Sequence, residues 1–140
     1  MTIATAALDG NRVYGATAIG ELGGRGCNPS DPRDTQIQEP SMHAFDAKTG
    51  KIAWQAEQSQ AFGATTVAGG MTFVCTAFSQ QLQIRDASNG NLLYDIPTQS
   101  GCNSGVVVAG NMVIFGEGTA ENPQQSGVAL YTPGAAAPKA

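Results

Sequence analysis

The sequence predicts an all-β protein, and three of its properties support this prediction. Gly, Thr, Val, Asn and Ser are abundant among the 140 residues, and these types are poor in helix interiors but common in strands or turns. No window keeps apolar residues at i, i+3, i+4 and i+7 over three helical turns. Short apolar runs, among them 12–14, 71–75 and 112–115, are bounded by Gly, Asn and Asp, as expected for strands between tight turns.

The predicted strands fall into three groups along the chain. The first group comprises 2–8, 12–18, 42–46 and 51–56, and the second comprises 64–68, 71–77, 81–86 and 91–97. The third offers only 105–108, 112–116 and 127–131 before the sequence turns to Ala, Pro and Gly. The first two groups therefore have four strands each, and the third lacks its last strand.

Two internal repeats explain this grouping. Residues 45–54 align with residues 85–94 at an offset of 40, where Asp, Ala, Gly and a final aromatic residue coincide. A turn flanked by two strands recurs at Gly10, Gly69 and Gly110, so its copies lie 59 and then 41 residues apart. The longer spacing predicts an insertion of about 19 residues, which we assign to the loop 19–41. A period near 40 with four short strands per unit is typical of a β-propeller blade.

The predicted domain is a partial β-propeller over residues 1–134, followed by a disordered tail at 135–140. Its antiparallel blades cover about 1–58, 62–98 and 104–134, and the last blade lacks its outer strand. Many propellers complete their last blade with a strand from the N-terminus. We therefore interpret the chain as the C-terminal section of a larger ring.

One segment carries a resemblance to a known superfamily. Residues 44–54, Ala-Phe-Asp-Ala-Lys-Thr-Gly-Lys-Ile-Ala-Trp, resemble the A-x-D-x-x-T-G-x-x-x-W signature of quinoprotein propellers. Within that superfamily the chain is most similar to the C-terminal part of polyvinyl-alcohol-dehydrogenase-like proteins. The similarity lies in the insertion, in residues 100–105 and in the ending 127–131.

The signature residues have structural roles in this interpretation. Asp46 and Thr49 can hydrogen-bond the turn backbone, Gly50 can adopt φ > 0, and Trp54 can pack between neighbouring blades. The counterparts in the second unit, to which we assign the same kind of role, are Asp86, Gly90 and Tyr94.

The resemblance implies a cofactor site near the ring axis. Quinoproteins hold pyrroloquinoline quinone there with a divalent cation, commonly calcium, and a carboxylate takes a proton as an alcohol is oxidised. Loops after the second and fourth strands share one face because strand direction alternates, and a hard cation needs oxygen ligands. The candidate cofactor-binding residues on that face are Asn103, Ser104 and Glu117. If the insertion folds inward, the alternatives are Asp31, Asp34 and Glu39.

These candidates have structural alternatives, and no residue is assigned a catalytic role. Glu117 is also typical of a solvated turn carboxylate, and Asn103 of an Asx-turn. His43, the single His, begins a strand and is assigned a structural or solvated role. With one His and no Cys-x-x-Cys spacing, the sequence predicts no zinc site.

The three cysteines allow at most one internal disulfide. Cys75 lies within a strand and is interpreted as a small buried apolar residue. Cys27 and Cys102 are each followed by Asn and are expected on the same face, so they form the candidate disulfide. Such a bond suits an exported protein, and the resemblance implies a bacterial protein that is periplasmic or secreted, with its signal outside this chain.

Charge and hydropathy exclude some partners. The net charge is -4, and the seven Lys and Arg residues are scattered singly, so no basic stripe is available for nucleic acid. No apolar run approaches the roughly 18 to 20 residues that span a bilayer. The expected partners are the remaining propeller blades or a second copy that completes the ring, with a cytochrome-type electron acceptor if the ring is an enzyme.

Two functions remain open at this point. The first is the C-terminal section of a quinoprotein alcohol dehydrogenase, which oxidises alcohol groups with pyrroloquinoline quinone in the complete ring but is inactive as an isolated chain. The alternative is a cofactor-free scaffold or binding module, similar to the outer-membrane assembly lipoprotein with the same repeats. The insertion and the loop at Cys102 and Asn103 favour the first function, whereas the lack of a recognisable cofactor-contact set favours the second.

Overall fold

A computed structural model describes residues 5–16, 40–57, 61–77, 79–118 and 125–132. Within these ranges there are eleven strands and no α-helix, which confirms the all-β prediction. The first sheet comprises β1 (Ala7–Asp9), β2 (Arg12–Ala16), β3 (Pro40–Asp46) and β4 (Ile52–Glu57). The second comprises β5 (Thr66–Ala68), β6 (Met71–Cys75), β7 (Gln81–Asp86) and β8 (Leu92–Pro97). The third comprises β9 (Val106–Ala109), β10 (Met112–Glu117) and β11 (Gly127–Tyr131).

Each sheet is an antiparallel meander in which neighbours in sequence are neighbours in space. The sheet orders are β1-β2-β3-β4, β5-β6-β7-β8 and β9-β10-β11, so the described strands number four, four and three. The predicted strand groups are thereby confirmed, and we call the sheets blade 1, blade 2 and blade 3. Strand β3 begins at Pro40, two residues before its predicted start. Residues 19–39 and 135–140 lie outside the described residues.

The first strands of neighbouring blades lie side by side, as a propeller requires around its axis. The backbone N–H of Thr65, just before β5, donates to the carbonyl of Thr5 ahead of β1 at 3.0 Å. The hydroxyl of Thr66 in β5 donates to the carbonyl of Val106 in β9. The three sheets are therefore arranged as consecutive propeller blades, as the repeat period predicts.

The core lies between the blades rather than within one of them. In β6, Val74 faces blade 1, whereas Phe73 and Cys75 face blade 3, following the two-residue period of a strand. The cluster between blades 1 and 2 contains Tyr14, Ala16, Met42, Ala44, Trp54, Ala61, Val74 and Ala87. The cluster between blades 2 and 3 contains Phe73, Cys75, Leu82, Ile84, Cys102, Val106 and Phe115. Blade 2 is thus covered on both faces.

The signature turn of blade 1 has the predicted geometry. Asp46 Oδ1 accepts hydrogen bonds from the backbone N–H of Lys48 at 3.1 Å and from the N–H and hydroxyl of Thr49, both at 2.8 Å. The Gly50 N–H donates to the Asp46 carbonyl at 2.9 Å, and Gly50 has a φ of 69°. The hydrogen bonds from Thr49 and Lys48 hold the pKa of Asp46 below its ordinary value.

The corresponding turn of blade 2 repeats this arrangement with different residues. Asp86 Oδ1 accepts the Ser88 N–H at 2.7 Å, and the side chain of Asn89 accepts the Asn91 N–H at 2.8 Å. Gly90 has a φ of 81°. Hydrogen bonds from Ser88, and more weakly from Asn89, lower the pKa of Asp86. Asn89 can therefore replace the signature Thr without loss of the turn.

Trp54 fastens blade 1 to blade 2. Its indole Nε1–H donates to the Ala87 carbonyl at 2.9 Å, and the side chain is only 8% exposed. The ring lies so close over Gly90 that a Cβ atom there would stand 2.6 Å from Trp54 Cε3. Tyr94 occupies the same register position in blade 2 but is 60% exposed, so the described residues give it no equivalent contact.

The disulfide prediction for Cys27 and Cys102 is wrong. Cys102 is bonded to Cys75, whose Cα atom is 5.7 Å away, and Cys27 lies outside the described residues. Cys75 is buried as predicted. It is the last residue of β6, and the carbonyl of the next residue, Thr76, accepts the backbone N–H of Cys102. The bond ties this segment to the sheet of blade 2. No helix in the described parts of the chain has the length and apolar character needed to cross a membrane.

Candidate functional site

The loops that follow the second and fourth strands share a face, which we call the upper face. Residues 98–105, the linker between blades 2 and 3, run across this face. The Cys102 N–H donates to the Thr76 carbonyl at 3.1 Å, and the Gly118 N–H donates to the Gly101 carbonyl at 2.9 Å. These contacts join the linker to the ends of β6 and β10. The linker and the end of β10 are therefore adjacent, as the alternating strand directions predict.

Ser104 has a structural role in this linker. Its Oγ accepts the Gly116 N–H at 2.9 Å and donates to the Gly116 carbonyl at 3.0 Å. The Ser104 backbone also packs so closely against Gly63 that any side chain at residue 63 would collide with the Ser104 carbonyl. The single hydroxyl proton of Ser104 is therefore used in a hydrogen bond within the protein, and the hydroxyl holds the linker against β10.

Glu117 ends β10 and is half-buried on the upper face. Its Oε1 accepts the backbone N–H of Gln99 at 3.3 Å, which is a long hydrogen bond. Burial, and secondarily the Glu117 carboxylate, raise the pKa of Tyr131, which stacks on Phe115. Glu117 thus has one weakly engaged oxygen and contributes negative charge beside the linker.

Asn103 is the exposed member of the predicted set. It precedes Ser104, and Glu117 follows Gly116, so the Ser104–Gly116 hydrogen bonds bring the backbones of these two residues close together. Asn103 and Glu117 therefore belong to adjacent segments of the upper face, and the Cys75–Cys102 bond ties the linker that carries Asn103 to the end of β6. The remaining candidates, Asp31, Asp34 and Glu39, lie outside the described residues.

These donors do not by themselves fit a complete calcium or quinone site. Calcium takes about six to eight oxygen ligands, whereas Asn103, Ser104 and Glu117 could supply only part of that number, and Ser104 Oγ already makes two hydrogen bonds to Gly116. Among the described residues, no three His, Cys, Asp or Glu side chains lie together as a metal site would require. Any such site would need donors from elsewhere, so no reaction step can be assigned to these residues.

Sequence analysis assigned no role to Arg85, which is the buried cation of the blade 1–blade 2 joint. Its guanidinium donates to the carbonyls of Gly90 at 3.1 Å and Glu57 at 2.7 Å, and burial lowers its pKa. Its Nε and the Thr72 hydroxyl are buried and have no hydrogen-bond partner among the described residues. The sequence signal is that Arg85 aligns with Phe45 at the offset of 40, so a cation stands where blade 1 has an apolar residue. Arg85 therefore reinforces the joint made by Trp54.

A shallow concavity of about 350 Å³ lies on the opposite face, at the same joint. The Arg12 guanidinium crosses it and donates to the carbonyls of Ala87 at 3.0 Å and Ser88 at 2.6 Å. The Ala87 carbonyl accordingly accepts from both Arg12 and Trp54. None of the predicted cofactor donors lines the concavity, and the Arg12 guanidinium within it is already hydrogen-bonded to blade 2.

Comparisons with known proteins agree with this architecture. The family described as outer membrane protein assembly factor BamB matches residues 2–130. Among curated proteins, none matches the chain in sequence. The family match covers most of the chain, from before β1 to the penultimate residue of β11.

Solved propeller structures resemble the chain in fold. The computationally designed Ika4 protein has a TM-score of 0.62 at 14% identity, over 92% of this chain and 64% of its own. The europium-containing methanol dehydrogenase has a TM-score of 0.58 at 15% identity, over 82% of this chain and 24% of its own. The quinohemoprotein alcohol dehydrogenase from Comamonas testosteroni has a TM-score of 0.56 at 18% identity, over 82% and 22%. The chain thus spans under two thirds of each, and the likeness concerns the fold alone.

Proposed function

Because the chain belongs to the family described as outer membrane protein assembly factor BamB, we propose that its three blades are part of a protein-binding platform. In this proposal they form one section of a larger propeller, which contacts other polypeptides and does not catalyse a reaction. The domain limits predicted above, with blades at about 1–58, 62–98 and 104–134, describe that section.

One observation carries the proposal. The hydroxyl of Ser104, the middle residue of the predicted cofactor-binding set, is hydrogen-bonded to the backbone of Gly116. In the part of the upper face that the structure describes, Ser104 therefore holds the linker against blade 3, and the described donors are fewer than a calcium ion takes. Both end faces of the arc also carry exposed apolar side chains, of the kind that further blades of a larger propeller would cover. They are Leu8 and Ile52 on blade 1, and Val107, Met112, Val128 and Leu130 on blade 3.

A second function is favoured by Asn103 and Glu117. An amide on the linker and a carboxylate at the end of β10 belong to adjacent segments, which the two Ser104–Gly116 hydrogen bonds join, and the disulfide restrains the linker. In a complete quinoprotein alcohol dehydrogenase, these two residues would supply part of the oxygen set for calcium and pyrroloquinoline quinone. The quinone would accept the electrons of the alcohol and pass them to a cytochrome-type acceptor. The isolated chain would then be inactive because the rest of the site lies on other blades.

For both functions we propose a location outside the reducing cytoplasm. The Cys75–Cys102 bond supports an exported, periplasmic or secreted location, since disulfides persist mainly in oxidising compartments.

Quinone uptake separates the two functions. The complete ring, assembled from this chain and its further blades, is mixed with pyrroloquinoline quinone and calcium, freed of unbound quinone by gel filtration, and scanned for quinone absorbance. The platform proposal predicts no retained quinone, for the chain or for a ring that it completes with further blades. Quinone retained in proportion to protein would overturn it, provided that the Asn103→Ala, Glu117→Gln double variant loses the quinone. The Gln99→Ala variant serves as a control on the same face.

A further inference from the structure

The signature turn of blade 2 contains a chemically labile step. Asn89–Gly90 is the single Asn–Gly sequence in the 140 residues, and the corresponding step in blade 1 is Thr49–Gly50. The side-chain amide of Asn can be attacked by the backbone nitrogen of the next residue, and a following Gly hinders that attack least because it has no side chain. Blade 2 therefore carries a reactive amide at a turn position where blade 1 has none.

The electrophile of this reaction, the side-chain carbonyl of Asn89, is accessible and polarised. Asn89 is exposed, and its Oδ1 accepts the backbone N–H of Asn91 at 2.8 Å. This hydrogen bond would stabilise the negative charge that develops on Oδ1 when a nucleophile attacks Cγ. The exposed side of the turn also gives water access to the product of that attack.

The nucleophile, the backbone nitrogen of Gly90, is restrained. Its N–H donates to the Asp86 carbonyl at 2.8 Å. Gly90 is buried beneath the Trp54 ring, so closely that a Cβ atom there would stand 2.6 Å from Cε3. The nitrogen must leave the Asp86 carbonyl before it can bond to Asn89 Cγ, and the indole blocks the movement of Gly90. Attack therefore requires local opening of the joint between blades 1 and 2.

We propose that Asn89 is a site of spontaneous deamidation, and that the opening of this joint sets its rate. In the opened turn the Gly90 nitrogen loses its proton and bonds to Asn89 Cγ, and the side-chain nitrogen takes up a proton and leaves as ammonia. One water molecule then hydrolyses the resulting succinimide ring. Cleavage of the Cγ–N bond leaves aspartate, whereas cleavage of the backbone C–N bond leaves isoaspartate.

Conversion to isoaspartate would weaken the joint. It lengthens the main chain by one methylene group directly before Gly90, inside a turn that binds blade 1 at two points. The Ala87 carbonyl of this turn accepts from Trp54 Nε1–H and from the Arg12 guanidinium, and Gly90 lies against the indole. A longer main chain cannot keep Ala87 and Gly90 in both places at once. The inference depends only on this joint and holds for either proposed function.

The turn of blade 1 supplies a matched control. Gly50 has a positive φ like Gly90, and its N–H donates to the Asp46 carbonyl at 2.9 Å. A Cβ atom at Gly50 would nevertheless meet nothing within 4 Å, so no ring covers this glycine among the described residues. The Thr49→Asn substitution therefore places an Asn–Gly step in the same kind of turn without a covering indole.

Deamidation at the two positions is then measured in one molecule. The Thr49→Asn chain is incubated in mildly alkaline buffer, and peptide mapping by mass spectrometry follows both turns, with chromatography that separates aspartate from isoaspartate. We expect position 49 to convert several-fold faster than Asn89. Asn89 should convert roughly tenfold or more slowly than in a synthetic peptide of residues 84–94, because a reaction that needs local opening proceeds only in the open fraction.

Two further variants test the role of the joint, with circular dichroism to verify that each is folded. Trp54→Phe removes the hydrogen bond to the Ala87 carbonyl and should raise the rate at Asn89 several-fold. Asn89→Thr copies the blade 1 residue and should abolish conversion in the blade 2 turn. Equal rates at Asn89 and position 49, or equal rates at Asn89 in the folded chain and in the peptide, would overturn the proposal. A rate at Asn89 that is the same with Trp54→Phe as without it would also overturn the proposal.

Discussion

Gly90 and Gly50 allow the blade joint to be measured with a matched pair of substitutions. Both glycines occupy the same place in the signature turn, with φ values of 81° and 69°, and both donate their N–H to the carbonyl of the turn aspartate. They differ in what a side chain would meet. A Cβ at Gly90 would lie 2.6 Å from Cε3 and 2.8 Å from Cδ2 of Trp54, whereas at Gly50 it meets nothing.

The two alanine variants should therefore differ by a predictable amount. Forcing Ala into the left-handed region costs about 1–2 kcal/mol at either site. At Gly90 the indole must also move, because 2.6 Å is far inside a normal carbon–carbon contact. Overpacking of this kind costs about 1–3 kcal/mol, and loss of the bond to the Ala87 carbonyl adds about 0.5–1.5 kcal/mol. We expect Gly90→Ala to lower the free energy of unfolding by about 2–4 kcal/mol more than Gly50→Ala does.

Urea unfolding of both variants, followed by circular dichroism, measures this difference. Trp54 fluorescence adds a local readout because it is the single indole of the chain. Its emission should shift to the red in folded Gly90→Ala and stay unchanged in Gly50→Ala. Equal losses of stability in the two variants, with the same Trp54 emission, would refute the view that the indole on Gly90 holds the joint.

Further predictions concern the linker, the disulfide and the turn carboxylates. Cys102→Ser should lower the free energy of unfolding by about 2–4 kcal/mol because it opens a disulfide that spans 27 residues. Cys27→Ser should change the free energy of unfolding little. The reverse ranking of the two variants in urea unfolding would contradict the pairing. Ser104→Ala should cost about 1–3 kcal/mol, since it leaves backbone groups of β10 without their partner, and an unchanged unfolding midpoint would count against its structural role. The folded pKa values of Asp46 and Asp86 are lowered, so their contribution to stability is complete above the unfolded value of about 3.9 and is lost as the pH falls through the folded values. Melting temperatures between pH 5 and pH 2 should therefore fall less steeply in Asp46→Asn than in the unsubstituted chain.

Strand positions could be predicted because the repeat is local. The offset of 40 aligned Asp46 with Asp86 and Gly50 with Gly90, and these residues form turns through contacts only two to four positions apart. Burial between blades follows from the two-residue period of each strand, so the inward position of Trp54 was also predictable. Local chemistry and periodicity thus specify the blade and its packing side.

Contacts between distant segments were less accessible to sequence reasoning. Cys102 was paired with Cys27 because both precede Asn, but the linker turns back over the end of β6 and brings Cys102 to Cys75. The oxygen of Ser104 looked like a ligand, yet it caps the backbone of Gly116. Tyr94 matches Trp54 in the repeat, but its side chain is exposed. In each case the outcome depends on how linkers and neighbouring blades pack together, and the repeated sequence pattern does not specify that packing.

Native mass spectrometry of the purified chain with pyrroloquinoline quinone and calcium tests the central claim most directly. The claim is that these three blades are a section of a binding platform whose upper-face residues hold blades together and do not form a cofactor site. We predict masses of the protein alone, with the disulfide intact, in every assembly state observed. A species that gains the mass of the quinone together with calcium, at a fixed ratio to protein, would contradict the account.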